Sequence, residues 1–487
     1  MSSNSTTVSA PGKVLLAGGY LVLESPNVGV VVAANKRFYT TVLTETAAMT
    51  TSSPGDDDKP ISIVVTSPQF HTSWTYALQP SSDQFALLAD SNNESTNPFV
   101  EKSLRVVLAY LYQIDQLSLQ QTQSLHIVIR ADNDFYSVLP HLHGKERTPA
   151  NVDALPTFCP CPVDPETGKA IIHKTGLGSS AALTTSLVGA LYVHFTKKLD
   201  LLPIHNLAQL CHCYAQGKVG SGFDVSAAVY ATHVYRRFSK CLLPDILQQF
   251  ESHAVLVTES TRSLLQSIVD TSWGDDLVTH LNLPPGIQIL LADVCGGSES
   301  PGMARQVVNW KQQQQAAESS TILHWTDLQK LNQRVVELLQ TLTATTSTSP
   351  VDVVSLASCK ACDWNMMKDH PTAGILYDLS NTFSEIRRHL RGMGQEAGVP
   401  VEPPEQTELC DATSELPGVI TALVPGAGGY DAVVCLYVDN SAIKQRIGDL
   451  WSHWDQRDPQ RSGQVVCPLA VQATNVGIQV ETHFSTI

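Results

Sequence analysis

Between Lys169 and Phe195 the chain reads KAIIHKTGLGSSAALTTSLVGALYVHF, a short apolar run, a turn of glycines and serines, and then a long apolar helix pattern. This stretch constrains the fold more than any other. A strand that passes into a helix through Gly176-Leu177-Gly178-Ser179-Ser180-Ala181 must turn sharply on small residues, and its backbone can approach a ligand closely. The first N–H groups of the helix have no partner within it, and its dipole favours negative charge there. Phosphate binds at such places, and a serine hydroxyl there could also complete a Mg²⁺ shell. A helix-capping role for Ser179 explains the serines equally well. A Walker A loop is excluded, because no lysine follows the glycines. The spelling G-x-G-x-x-A also fits a dinucleotide fingerprint, which needs an acidic residue about 20 positions on at the end of a strand. Asp200 is near that distance, but it follows Lys197 and Lys198 and no strand pattern precedes it.

The 487 residues suffice for two or three domains, and 43% hydrophobic with 16% charged residues describes a globular chain. A formal charge of −15 argues against nucleic acid or an anionic membrane surface as partner, so an anionic substrate needs a local cluster of cations. The N-terminal MSSNSTTVSAPGK lacks the charged and apolar regions of a signal peptide, and no run of 18 apolar residues occurs, so a cytoplasmic protein is expected. The 11 cysteines, with a lone C-x-x-C at Cys359 and Cys362, read as reduced thiols. Cys211-His212-Cys213 cannot aim three ligands at one metal from one helical turn, so a packed helix is expected there.

Patterning predicts β-rich segments over residues 8–24 and 28–43, strands at 61–66, 72–77 and 124–130, and helices at 100–112 and 204–216. A Pro-rich loop spans 139–168, and strand patterning returns at 419–438. A domain boundary is expected near residue 240, dividing the chain into 1–240 and 241–487.

Two further glycine turns lie far apart, APGKVLLAGGYLVLE at 10–24 and VPGAGGYDA at 424–432. With the central stretch they resemble, in order, the three motifs of the GHMP kinases, named for galactokinase, homoserine kinase, mevalonate kinase and phosphomevalonate kinase. Within that family ADNDFYS, GKVGSGFDVSAAVYA, GSESPGMARQV and the long stretch at 403–432 look like the branch that phosphorylates 5-phosphomevalonate, in its eukaryotic, fungal type. A mevalonate kinase is the alternative. An NAD-dependent oxidoreductase would leave the first and third glycine motifs unused, and a non-catalytic sensor is disfavoured by the retained Lys13 and Asp224.

The resemblance implies an α+β GHMP kinase fold, an N-terminal domain like ribosomal protein S5 domain 2 and a ferredoxin-like C-terminal domain, with the site between them. It implies Lys13 and Asp224 as catalytic residues, and Lys174, Thr175, Gly176, Leu177, Gly178, Ser179, Ser180 and Ala181 as the ATP loop, Ser180 also meeting Mg²⁺. Substrate contacts are expected from Lys13, Ser137, Ser221, Ser298, Ser300 and Arg305, and from the third turn, Gly426, Ala427, Gly428 and Gly429. A monomer or weak homodimer is expected. Two departures stand out. Gly18-Gly19-Tyr20 replaces the acidic residue many members carry in the first motif, and the segment before Asp224 lacks the metal-binding glutamate of mevalonate kinases, leaving His212 or Gln216 near the metal. The cations available for two phosphorylated ligands are Lys13, Lys36, Arg37, Lys174, Lys218 and Arg305, and the basic 139–168 loop is expected to fold over the phosphates.

Overall fold

The computed structural model describes residues 4–46, 60–80, 84–117, 122–251, 255–256, 259–294, 300–316, 323–348 and 351–482. Two long antiparallel strands, Asn4–Ala17 and Val28–Thr46, organise a sheet of 11 strands among these residues. Val30 to Ala34 are all buried, so this part of the second strand reads as an unbroken apolar run rather than an alternating one. Beyond it the sheet continues through Thr122–Ala131, Ile61–Ser67, Thr72–Pro80 and Gln84–Ala89, antiparallel except where Ile61–Ser67 runs parallel to Thr122–Ala131. The β pattern expected over 8–24 stops at Ala17, because Gly18 and Tyr20 take positive φ and lead into a single 3-10 turn, Leu21–Leu23.

Helices Pro98–Gln113, Ser179–Thr196 and Leu201–Gln216 pack together, the middle one against the two long strands. The first is capped by Asn97, whose side chain accepts from the Phe99 N–H, and starts on Pro98. The middle helix is apolar on every side and is accordingly buried from Ser179 to His194 apart from Ser180.

A second sheet runs Val419–Leu423, Ala432–Val438, Ile287–Asp293, Cys467–Leu469, all antiparallel. Every residue of Val419–Leu423 and Ala432–Val438 is buried, with helices Ala373–Ala397 and Pro404–Ser414 among those packed there. The larger sheet draws strands from both sides of residue 240: Val278–His280 pairs with His233–Arg236, Ala473–Thr474 with Val28–Thr46, and Gln479–Val480 with Asn4–Ala17. No helix of the described residues is long and apolar enough to cross a membrane. The described cysteines form no disulfide.

Candidate active site

All three glycine motifs line one cleft of about 1400 Å³. Residues from both sheets form its walls, with Leu291 and Asp293 at the end of one strand of the second sheet and Lys13, Val14 and Leu15 in the first strand of the larger one.

The central loop is shaped by Gly176 and Gly178, with φ of 80° and 77°, in the left-handed region open to glycine. Gly178 is the N-cap of helix Ser179–Thr196, and no side chain caps that end. The capping role open to Ser179 is therefore not the one it plays, and the first turn of the helix keeps unpaired N–H groups at the cleft. Lys174 to Ser180 line the cleft, whereas Ala181 is turned inward and buried.

Lys13 is bound to this loop twice. Its backbone N–H donates to the Leu177 carbonyl, and its Nζ donates to the Gly176 carbonyl, each at 2.9 Å. The ammonium also lies 5.6 Å from the centre of the Phe223 ring. Its side chain keeps some surface open to the cleft, yet the enclosing protein lowers its pKa below the ordinary 10.5, and the Asp224 charge opposes that shift.

Asp224 sits in the first turn of helix Phe223–Tyr230, with one carboxylate oxygen accepting from the Val225 N–H at 3.0 Å. The preceding loop is held from behind. Gln209 donates to the Gly222 carbonyl at 2.7 Å, the Tyr235 hydroxyl to Ser221 at 2.6 Å, and the buried Arg237 guanidinium to the carbonyls of Val219, Gly220 and Leu23. His212 joins the glycine-loop helix to the Asp224 segment, its Nε2 lying 3.1 Å from Ser180 Oγ and 3.8 Å from Asp224 Oδ2. Burial lowers its pKa, with Asp224 opposing and Lys218 adding to the shift.

The third turn closes the opposite wall. The Tyr20 hydroxyl donates to the Ala427 carbonyl, and the Gly426 N–H donates to the Leu15 carbonyl at 3.3 Å, so the first motif carries the third. At Gly428, φ is 82° and a Cβ would stand 2.0 Å from the Val401 carbonyl oxygen, which excludes any side chain. Gly426, Ala427 and Gly428 line the cleft, while Gly429 is turned away and its N–H donates to Val401 at 3.0 Å.

Of the remaining expected contacts, Ser221 and Arg305 line the cleft. Ser137 lines a smaller adjoining cavity of about 220 Å³, beside His173 and His141. Ser298 lies outside the described residues, and Ser300 begins helix Ser300–Ala316. Two expected cations are absent from the cleft walls for evident reasons. Lys36 is paired with Asp134 at 3.0 Å, and Arg37 is buried, donating to Ser9 and to the carbonyls of Val476 and Gly477. Lys240 and Arg237 stand there in their place. None of His141, His143, Lys145 and Arg147 reaches the cleft; Arg147 instead donates to Asp455 at 2.6 Å and to the Ser452 carbonyl at 2.7 Å. Arg237 and Tyr20 lay within sequence stretches whose spelling was visible, but only long-range packing turns them towards the site.

An open helix N-terminus, a lysine held on its glycine loop and a facing aspartate in one cleft fit a phosphoryl-transfer enzyme of the GHMP kinase class. The family model for the N-terminal domain of GHMP kinases matches residues 148–232, and that for the C-terminal domain matches 375–453. Over 485 residues the chain is 36% identical to the phosphomevalonate kinase of Aspergillus fumigatus, covering 93% of this chain and 91% of that one. It is 34% identical to the peroxisomal phosphomevalonate kinase of Arabidopsis thaliana, covering 91% and 92%. The chain belongs to the phosphomevalonate kinase family. In fold it is similar to the Streptococcus pneumoniae phosphomevalonate kinase solved with phosphomevalonate and AMPPNP, at a TM-score of 0.50 and 15% identity, covering 91% of this chain and 96% of that one.

Proposed function

We propose that the cleft binds ATP and 5-phosphomevalonate and transfers the γ-phosphoryl group, giving ADP and 5-diphosphomevalonate in the mevalonate route to isoprenoids and sterols. The observation that carries this reading is the position of Lys13 Nζ on the Gly176 carbonyl, where one ammonium faces both the phosphate loop and Asp224. The full-length likeness to phosphomevalonate kinases supports the choice of acceptor.

The uncapped first turn of helix Ser179–Thr196 binds the ATP phosphates through its N–H groups, and Ser137, in the adjoining cavity beside His173, is a further ligand contact. An oxygen of the acceptor phosphate attacks the γ-phosphorus, a new P–O bond forms, and the bond to the β-phosphate bridging oxygen breaks. Lys13 stabilises the charge that moves onto the bridging and equatorial oxygens. The acceptor is already mostly a dianion at neutral pH, because its second pKa is near 6, so Asp224 has no proton to remove. It balances and orients Lys13. Lys218, Arg237, Lys240 and Arg305 supply the remaining positive charge along the cleft.

The Ser180 hydroxyl and Asp224 carboxylate are hard oxygen donors that fit Mg²⁺, which takes few protein ligands and keeps several waters. Bound with ATP, the ion would neutralise charge on the phosphate oxygens. A cytoplasmic location and a monomer or weak homodimer complete the proposal.

Coupled ADP release with mevalonate and 5-phosphomevalonate side by side tests the assignment. A site built around a phosphate leaves desolvated cations unpaired with mevalonate, so a preference of roughly 10³-fold or more is expected. Equal turnover would overturn the acceptor and leave the kinase class intact.

A further inference from the structure

His212 is 3% exposed on helix Leu201–Gln216, and three side chains of the cleft converge on one of its atoms. Its Nε2 lies 3.1 Å from Ser180 Oγ, 3.3 Å from Gln216 Nε2 and 3.8 Å from Asp224 Oδ2. The amide nitrogen of Gln216 can only donate, so the ring nitrogen facing it accepts and the imidazole proton sits on Nδ1. The same lone pair, shared in a three-centre bond, also takes the Ser180 hydroxyl proton at 3.1 Å. Serine has one hydrogen and two lone pairs, so with the hydrogen turned to His212 only lone pairs face the cleft. An oxygen in that state attracts a cation and repels a phosphate oxygen. Asp224 Oδ2, beyond hydrogen-bond range of the ring, presents a second acceptor beside it.

We infer that His212 is a positioning residue: it fixes the Ser180 hydroxyl as an acceptor towards the cleft and thereby makes the Ser180 and Asp224 corner a divalent-cation subsite rather than a phosphate-donor one. The inference deepens the kinase reading and rests on it for the nucleotide. It also explains how a chain without the metal glutamate of mevalonate kinases organises the same corner, through a neutral group that acts on a ligand and not as one.

Mn²⁺ serves as the probe, its binding to the full-length protein in the presence of ADP being followed by electron paramagnetic resonance. His212→Leu removes the acceptor and should weaken Mn²⁺ binding by roughly 10-fold or more, the usual effect of losing a partner behind a metal ligand. Metal-free ADP affinity and the thermal midpoint should hold. His212→Gln returns an amide oxygen near the place of Nε2 and should recover most of the loss. In a Ser180→Ala background His212→Leu should add little, since its effect runs through the missing hydroxyl. Three results would each overturn the inference: unchanged Mn²⁺ affinity in His212→Leu, a full extra loss in the Ser180→Ala background, or an equal loss of metal-free ADP binding together with a lowered midpoint, which marks a packing role. None of these readouts needs turnover, so failure with 5-phosphomevalonate would fall on the proposed function and leave the His212 result legible.

Discussion

The aliphatic stem of Lys13 lies across Gly178: a Cβ at residue 178 would stand 2.9 Å from Lys13 Cε and 3.2 Å from its Cγ. The glycine is therefore required twice, for its positive φ and for the lysine that rests on it. Gly178→Ala should cost about 1–3 kcal/mol through left-handed backbone strain alone, and should also push Lys13 off the Gly176 carbonyl. Steady-state kinetics and chemical denaturation of this variant should record both a drop in kcat of about 10²-fold or more and the stability loss. Wild-type kcat would show that the stem moves aside without consequence.

Lys13→Met should lower kcat by about 10²–10⁴-fold, and Asp224→Asn clearly less, with 5-phosphomevalonate as acceptor. The pH profile carries the sign. The pKa of Lys13 is depressed in the folded state, so as pH rises the folded chain loses this proton before the unfolded chain does at about 10.5. Across that window the unfolded state binds more protons and the contribution of Lys13 to stability increases, while transfer is lost with the charge. Activity should thus fall on an alkaline limb below pH 10.5. Asp224 raises the Lys13 value, so Asp224→Asn should move that limb to lower pH. A limb that stays in place, or an Asp224→Asn as inactive as Lys13→Met, would mean that Asp224 does other work.

Tyr20→Phe removes the hydroxyl that donates to Ala427 and leaves that carbonyl without its partner. A loss of about 1–3 kcal/mol is expected, together with a raised KM, because Ala427 and its neighbours line the cleft. Thermal unfolding and KM for both substrates measure it; an unaltered KM would detach the third turn from substrate binding.

Beneath that turn Glu402, its side chain 3% exposed, accepts from Arg387 and Arg391, each at 2.7 Å. Glu402→Gln removes one of the two carboxylates that meet the buried Arg387, Asp411 at 2.7 Å being the other, and should destabilise the fold by about 1–3 kcal/mol. Denaturant midpoints would reveal a much smaller change if solvent reaches the arginines.

The 139–168 segment should resist limited proteolysis even without ligands, since Arg147 is already bound to Asp455 and Ser452. Arg147→Ala should speed cleavage there. Protection that develops only when ATP and acceptor are added would restore the closing lid expected from its basic residues.

Much of this molecule was legible in its sequence where the signal is local. The glycines at 176 and 178, the apolar helix after them and the strands at 61–66, 72–77 and 124–130 follow from turn chemistry and periodicity over a few residues. Charges were not legible in the same way. Lys36 and Arg37 read as phosphate cations because nothing nearby in sequence claims them, yet Asp134 and the carbonyls at 476–477 do. The fate of an ionised side chain is decided by partners that the fold alone brings close. The same holds in part for His212: a local reading leaves it as a helix residue between two cysteines and the family resemblance sets it or Gln216 near the metal, but its contacts with Ser180 and Asp224 come from distant segments.

The strand that carries Lys13 receives its outer neighbour from Gln479–Val480, with Val8 opposite Val480. On the ribosome that strand precedes its partner by roughly 470 residues, a wait of roughly 25–90 s at about 5–20 residues per second. For that interval the outer edge of this strand lacks its partner at Val8 and Ser9, and Arg37 lacks the Val476 and Gly477 carbonyls that hold it. The contacts that fix Arg37 and close the outer edge at Val8 and Ser9 are thus completed only once the segment at 476–480 has been made.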